Sequence, residues 1–303
     1  MLRRTLLWMS ERDGLRDVLF ALPFARGAAA KFVAGETHDV ALRTAAELNR
    51  EGLRVTLDLL GESVSDRREA EAAADEYARS LDLIDSSDAS ATISLKLTQL
   101  GLDIDTGFCL TNLERIVEHA GRLDNFVRID MEGSAYTQRT LDIFYDVFER
   151  HRNVGVVIQS YLKRSADDVE RLVELSAPVR LCKGAYDEPA TVAFQDKAEV
   201  DASFVRLMKS LLDGGAPTAI ATHDERMIEA TLEHAQANGI PREAYELQML
   251  YGVRRELQLA LTSDGWPMRI YLPYGSQWYS YFMRRMAERP ANLWFAVRAM
   301  LGR

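Results

Sequence analysis

Arg284 and Arg285 stand side by side near the end of this 303-residue chain, within RIYLPYGSQWYSYFMRRMAE at 269–288. A guanidinium presents a planar fork that can hold both oxygens of a carboxylate. Gln277, Tyr281, Arg284 and Glu288 recur at helical spacing and share one face, with Arg285 beside them. Two such forks and an aromatic ring make a clamp for a small carboxylate. The same spacing suits a solvated helix carrying Arg–Glu pairs, and spacing leaves both readings open. Before that helix a β-branched and aromatic run reaches Tyr271, Pro273 and Gly275 stop it, and Ser276 is placed to cap the helix.

The elements that must position such groups alternate along the chain. Short Val/Ile/Leu runs at 54–60, 91–97, 126–131, 154–160, 179–184, 218–223, 245–250 and 268–273 predict strands. Amphipathic stretches at 66–84, 111–123, 137–151, 166–176, 197–213, 225–238, 253–263 and 276–289 predict helices between and after them. Asp66 with Glu69, and Thr111 with Glu114, have capping-box spacing. Strand–helix units in strict order predict an α/β fold, a (β/α)₈ TIM-type barrel over 53–303. An open doubly wound sheet is the competitor, weakened because no GxGxxG follows the first strand. Residues 31–52, KFVAGETHDVALRTAAELNREG, predict a helix ending at Gly52, so residues 1–52 are expected to pack on the barrel as a helical arm. A last helix is expected over 291–302, after Pro290.

In a barrel the C-terminal strand ends carry function, and here they are polar. Asp58 and Glu62 follow the first strand, Lys96 lies in the second, Asp130 in the third and Gln159 in the fourth. Arg180 and Lys183 flank the fifth, Thr222 and His223 close the sixth, Gln248 lies in the seventh and Tyr271 in the eighth. A buried lysine or aspartate is costly unless paired. Taken singly, Lys96 or Asp130 suits a structural ion pair, Gln159 a satisfied hydrogen-bonding residue, and His223 a capping or core histidine. Taken together, nearly every strand delivers a polar group to one mouth. KGAY at 183–186 and THDE at 222–225 each join a cation or imidazole to a helix start, a setting that suits phosphate.

Composition excludes several classes. A net charge of −9 argues against a general nucleic-acid binder. No run of about 18 apolar residues predicts a membrane span. The start MLRRTLLWMS lacks the long apolar core and cleavage site of a secretory signal. Cys109 and Cys182 are read as buried free thiols of a reducing compartment, so the cytoplasm is expected. The histidines form no HxH or HExxH pattern, and no metal is expected.

DLLGE (58–62), SLKLTQLG (94–101), RIDME (128–132), VIQSYL (157–162), VRLCKGAY (179–186), ATHD (221–224), LQMLYG (247–252), RIYLPYG (269–275) and YFMRRMAE (281–288) occur in order, one or two per strand. Together they resemble the proline dehydrogenase family in its monofunctional bacterial form; Leu247 stands where many relatives have an aromatic. The resemblance implies an FAD enzyme on a distorted barrel, oxidising L-proline to Δ¹-pyrroline-5-carboxylate, the first step of proline catabolism to glutamate. It implies hydride transfer from C5 to flavin N5, with electrons passed to a membrane quinone. Carried over residue by residue, Lys96, Arg284 and Arg285 would bind the proline carboxylate, and Tyr271 and Leu250 would pack against its ring. Glu288 would hold the arginine pair, Asp130 would join the polar network, and Arg180 would lie near flavin N5. Met131, Gln159, Lys183, Gly184, Ala185, Thr222 and His223 would contact FAD. Further expected partners are a pyrroline-5-carboxylate/glutamate semialdehyde dehydrogenase and, peripherally, the inner face of the cell membrane.

The residue types fit that chemistry. No side chain accepts a hydride, so a cofactor must, while cations orient the carboxylate and an aromatic ring excludes water. Glu62 and Arg284, opposite in charge at one mouth, form a hypothetical gate. Two rivals stand beside this reading: a Schiff-base barrel enzyme using Lys96 or Lys183, and a non-catalytic barrel that binds an amino acid.

Overall fold

The computed structural model describes residues 31–61, 63–278 and 281. Eight parallel strands close into a barrel: β1 Arg54–Leu59, β2 Ala91–Leu95, β3 Val127–Ile129, β4 Val154–Gln159, β5 Val179–Cys182, β6 Thr218–Ala221, β7 Tyr245–Leu250 and β8 Met268–Tyr274. β8 pairs with β1, Tyr271 opposite Thr56, and this closes the ring. Helices alternate with the strands: α1 His38–Arg50 precedes β1, and α2 Arg67–Asp85, α3 Thr106–Arg122, α4 Ser134–Arg150, α5 Ser165–Glu174, α6 Lys197–Asp213, α7 Glu225–Ala237 and α8 Arg255–Ser263 come after successive strands. The fold expected from alternation is the fold found.

Successive side chains on a strand face opposite ways, and the two faces differ in kind. Val55 and Leu57 on β1, Ile93 and Leu95 on β2 and Ile270 and Leu272 on β8 join one apolar cluster with Ala74 and Leu81 of α2, Leu113 of α3, Phe144 of α4 and Phe204 of α6. Each such buried aliphatic or aromatic side chain contributes roughly 1.5–3 kcal/mol. The alternate positions carry Thr56, Asp58, Ser94, Arg128, Arg180, Gln248, Arg269 and Tyr271. The apolar core therefore lies between strands and helices, and the barrel lumen is lined by polar groups.

Several boundaries differ from expectation for local reasons. Residues 31–37 are not helical; Gly35 has φ +141° and Ala34 N–H donates to the Pro273 carbonyl at 2.9 Å, so this segment runs against the end of β8. Helix α1 buries Ala41, Ala45 and Leu48 in the common core, so the arm residues it contains share the barrel's packing. Helix α3 starts at Thr106, not 111, because the Asp105 side chain accepts from Phe108 N–H at 2.7 Å, while Thr111 sits inside the helix bonding back to the Gly107 carbonyl. Asp66 does cap α2, accepting from Arg68 and Glu69 N–H. Strand β2 ends at Leu95 and β3 at Ile129, which leaves Lys96 and Asp130 just past the ladder. Cys109 is buried, as expected, but Cys182 is partly exposed; neither is in a disulfide.

Candidate active site

Asp130 is the hub of the C-terminal mouth. Its Oδ1 accepts from Ser94 Oγ at 2.7 Å and from Arg180 Nη1 at 2.8 Å, and its Oδ2 accepts from Tyr271 Oη at 2.6 Å. Lys96 Nζ lies 3.6 Å from Asp130 Oδ2 and donates to Asp58 Oδ1 at 2.9 Å. The Arg180 guanidinium sits 5.3 Å above the Tyr271 ring centre. These groups come from β1, β2, β3, β5 and β8, and the barrel closure brings them together. Lys96 has extended φ and ψ, −112° and 136°, so it keeps the alternation of β2 and points the same way as Ser94.

Burial sets the electrostatics. It opposes charge on Lys96, yet Asp58 and Asp130 hold the ammonium well above the ordinary lysine value. Burial likewise acts against the Asp130 carboxylate, but Lys96, Arg180 and the hydrogen bonds from Tyr271 and Ser94 outweigh it and hold Asp130 below its ordinary value. Asp58 is raised, since burial exceeds the help from Lys96 and Asp130 adds repulsion. Tyr271 is pushed well above the phenol range by burial and by the carboxylates of Asp130 and Asp58. The site thus carries a fixed lysine cation, a fixed Asp130 anion and a neutral phenol. An ammonium has three donors; with Asp58 and Asp130 beside it, Lys96 retains a donor for an incoming carboxylate. Leu250 lies opposite Tyr271 in the β7–β8 register, so its side chain borders the same space.

A second cluster lies beyond the ends of β5 and β6. Lys183 Nζ is held by Asp201 of α6 and by Asp224 at 2.7 Å, and both carboxylates also meet Lys197 and Arg226. Burial opposes the charge on Asp201 and Asp224, and hydrogen bonds from Lys183 and Lys197 hold both below their ordinary values. Asp224 also caps α7. Gly184 has φ +104°, and a Cβ there would collide with the Tyr161 ring, so the backbone turns closely over that ring where no other residue fits. Gln159 donates through Nε2 to the Met131 carbonyl at 3.2 Å, while its Oε1 is buried without a hydrogen-bond partner among the described residues. Thr222 is buried with Oγ1 accepting from Asp224 N–H, and His223 Nε2 accepts from Leu250 N–H at 2.9 Å. Ala185 is exposed in the loop after Gly184.

Lys96, Asp130, Arg180, Tyr271 and Leu250 are therefore gathered at one mouth, and Met131, Gln159, Lys183, Gly184, Ala185, Thr222 and His223 on the ends of β3 to β6 beside it. Glu62, Arg284, Arg285 and Glu288 lie outside the described residues, and the Glu62–Arg284 gate with them. Ser94 and Asp201 were not expected in the site. Ser94 was signalled by its spacing of two before Lys96. Asp201 bears no sequence signal toward Lys183, because only the fold brings α6 over the end of β5.

The family model for proline dehydrogenase matches residues 41–298. The chain belongs to the proline dehydrogenase family, a family of oxidoreductases. It is 41% identical over 301 residues to proline dehydrogenase 1 of Bacillus subtilis, covering 99% of both chains. It is 38% identical to proline dehydrogenase of Deinococcus radiodurans, covering 99% of this chain and 97% of that one. Among solved structures it resembles proline utilization A from Bdellovibrio bacteriovorus inactivated by N-propargylglycine, with TM-score 0.81 and 27% identity, over 87% of this chain and 33% of that much longer one.

Proposed function

We propose that this protein oxidises L-proline to Δ¹-pyrroline-5-carboxylate with FAD as its cofactor. The observation that carries the reading is the buried constellation of Lys96, Asp130, Arg180 and Tyr271 at the C-terminal mouth of a barrel of this family. Its residues suit a cyclic amino acid: a cation for the carboxylate, a neutral aromatic edge and Leu250 for the ring, and a low-dielectric surrounding that strengthens both.

The residues assigned to FAD fit a dinucleotide. Gly184 lets the turn after β5 fold tightly over the Tyr161 ring, where a Cβ would clash, and so fixes the backbone next to Lys183. Lys183, restrained by Asp201 and Asp224, presents a cation suited to a pyrophosphate. Gln159 Oε1 is a buried acceptor fitting a ring that carries N–H donors. A flavin held by these residues would supply the two-electron acceptor for the hydride at proline C5. The protein's own contribution is orientation. Lys96, together with Arg284 and Arg285, fixes the carboxylate; Asp130 fixes Lys96, Arg180 and Tyr271; and Tyr271 with Leu250 excludes water from the reacting face. Arg180 would place positive charge beside the flavin, which favours electron uptake.

Electrons then pass to a membrane quinone, so the protein works in the cytoplasm, peripherally at the inner face of the membrane. The product passes to a pyrroline-5-carboxylate/glutamate semialdehyde dehydrogenase. That handover draws support from 29% identity to the bifunctional protein PutA of Escherichia coli, of which this chain covers 24%.

The test is product formation. Flavin-loaded protein given L-proline and a soluble quinone should yield pyrroline-5-carboxylate, trapped with o-aminobenzaldehyde, and Lys96→Met should raise KM for proline at least about tenfold. Absence of product, or an unchanged KM in Lys96→Met, contradicts the reading.

A further inference from the structure

The opposite end of the barrel holds a second constellation that shares only Arg180 with the site of the reaction. A cavity of about 270 Å³ opens at the N-terminal strand ends, lined among others by Arg54, Arg128, Arg180, Arg269, Glu243 and Glu246. Arg54 opens β1 and has a side chain 57% exposed, so it stands at the rim. Arg54 and Arg269 share one carboxylate, Glu246, at 3.2 and 2.7 Å. Arg180 forms the inner wall and faces Asp130 on its other side at 2.8 Å.

Arg128 is different. It is 7% exposed, and its hydrogen bonds go from Nη1 to two backbone carbonyls, Val156 at 3.2 Å and Pro178 at 2.7 Å. No carboxylate among the described residues lies within ion-pair distance of it. Arg180 Nε is also buried without a hydrogen-bond partner among the described residues. Burial, then Arg180 and Arg269, draw the Arg128 guanidinium down to about 9 against the opposing pull of the more distant Glu246 and Asp130 carboxylates. The Phe126 ring lies 4.9 Å from the Arg128 guanidinium carbon, but neither that ring nor the two carbonyls carries a full negative charge, and a buried cation is costly unless something neutralises it. With a single water claiming about 30 Å³, the cavity has room for a small anion and its hydration.

We infer that the N-terminal mouth of the barrel is a binding site for a small oxyanion, seated on Arg128 with Arg54 at the rim. Phosphate and carboxylate share the geometry a guanidinium fork recognises, and a probe of each kind separates them.

The experiment is isothermal titration of the flavin-loaded protein with inorganic phosphate and, separately, with succinate, at constant ionic strength. One saturable site is expected for at least one probe, weakened at least about tenfold in Arg128→Gln and several-fold in Arg54→Gln. Arg115→Gln, on exposed α3 and paired with Asp75, should bind as the parent does. Arg54→Gln changes an exposed side chain and keeps the test decisive if Arg128→Gln does not fold. No saturable binding of either probe, or equal binding in Arg54→Gln and Arg115→Gln, overturns the inference.

Discussion

Asp130 accepts hydrogen bonds from three side chains on three other strands and stands beside Lys96, so its charge organises Ser94, Lys96, Arg180 and Tyr271. Asp130→Asn keeps the shape and removes the charge, leaving Lys96 and Arg180 with less compensation and a free tilt. Misplacement of about 1 Å can cost about 100-fold, and kcat/KM for proline is expected to fall at least that much, measured by steady-state turnover. Tyr271→Phe is a smaller perturbation. It deletes one 2.6 Å hydrogen bond to a carboxylate and keeps the ring under Arg180. A bond to a charged group contributes about 1.5–3 kcal/mol, so urea unfolding should show a loss of that size while flavin remains bound. A stability equal to the parent's would mean that the phenol does not support Asp130.

At the scale of elements, the strands are stitched inside the lumen by ion pairs as well as by ladders. Glu246 of β7 joins Arg269 of β8 and Arg54 of β1, and despite burial its carboxyl is held down to about 2 from an ordinary 4.5. A carboxyl lowered on folding stabilises above its unfolded pKa and loses that contribution as pH falls through its folded one. The Glu246 contribution, about 3 kcal/mol by linkage, should therefore be present at neutral pH and vanish between about pH 4.5 and 2. Glu246→Gln should be less stable than the parent at pH 7 and equal to it near pH 2, read by denaturant melts across pH; a difference independent of pH would contradict this. The turn after β5 makes a different prediction. Gly184→Ala forces a Cβ into the Tyr161 ring at a left-handed φ, so the protein should fold but release flavin readily on dialysis, seen as loss of the yellow band.

For the whole molecule, the contrast between an apolar outer layer and a polar lumen explains what sequence could and could not reveal. Alternating Val/Ile/Leu runs made the strands legible because the outward face must pack on helices; β7 at Tyr245–Leu250 and α6 at Lys197–Asp213 fall where the pattern puts them. Polar residues at the intervening positions marked the lumen, so Lys96, Asp130, Arg180 and Tyr271 were readable as a set. Their pairings were not, since Asp58 with Lys96 and Asp201 with Lys183 join residues that only barrel closure brings together. Helix starts were misread where a different cap competed, as Asp105 does with Thr111. The lumen is polar from Arg54 at the base to Lys96 at the mouth, and the proposed function has its cations and Asp130 orient a cyclic amino acid against a flavin. Anaerobic addition of L-proline to the purified, FAD-loaded protein tests this most directly. The flavin absorbance band should bleach with L-proline, and in Asp130→Asn it should bleach at least about 100-fold more slowly. A protein that takes up no FAD, or a band that L-proline leaves unchanged, would contradict the account.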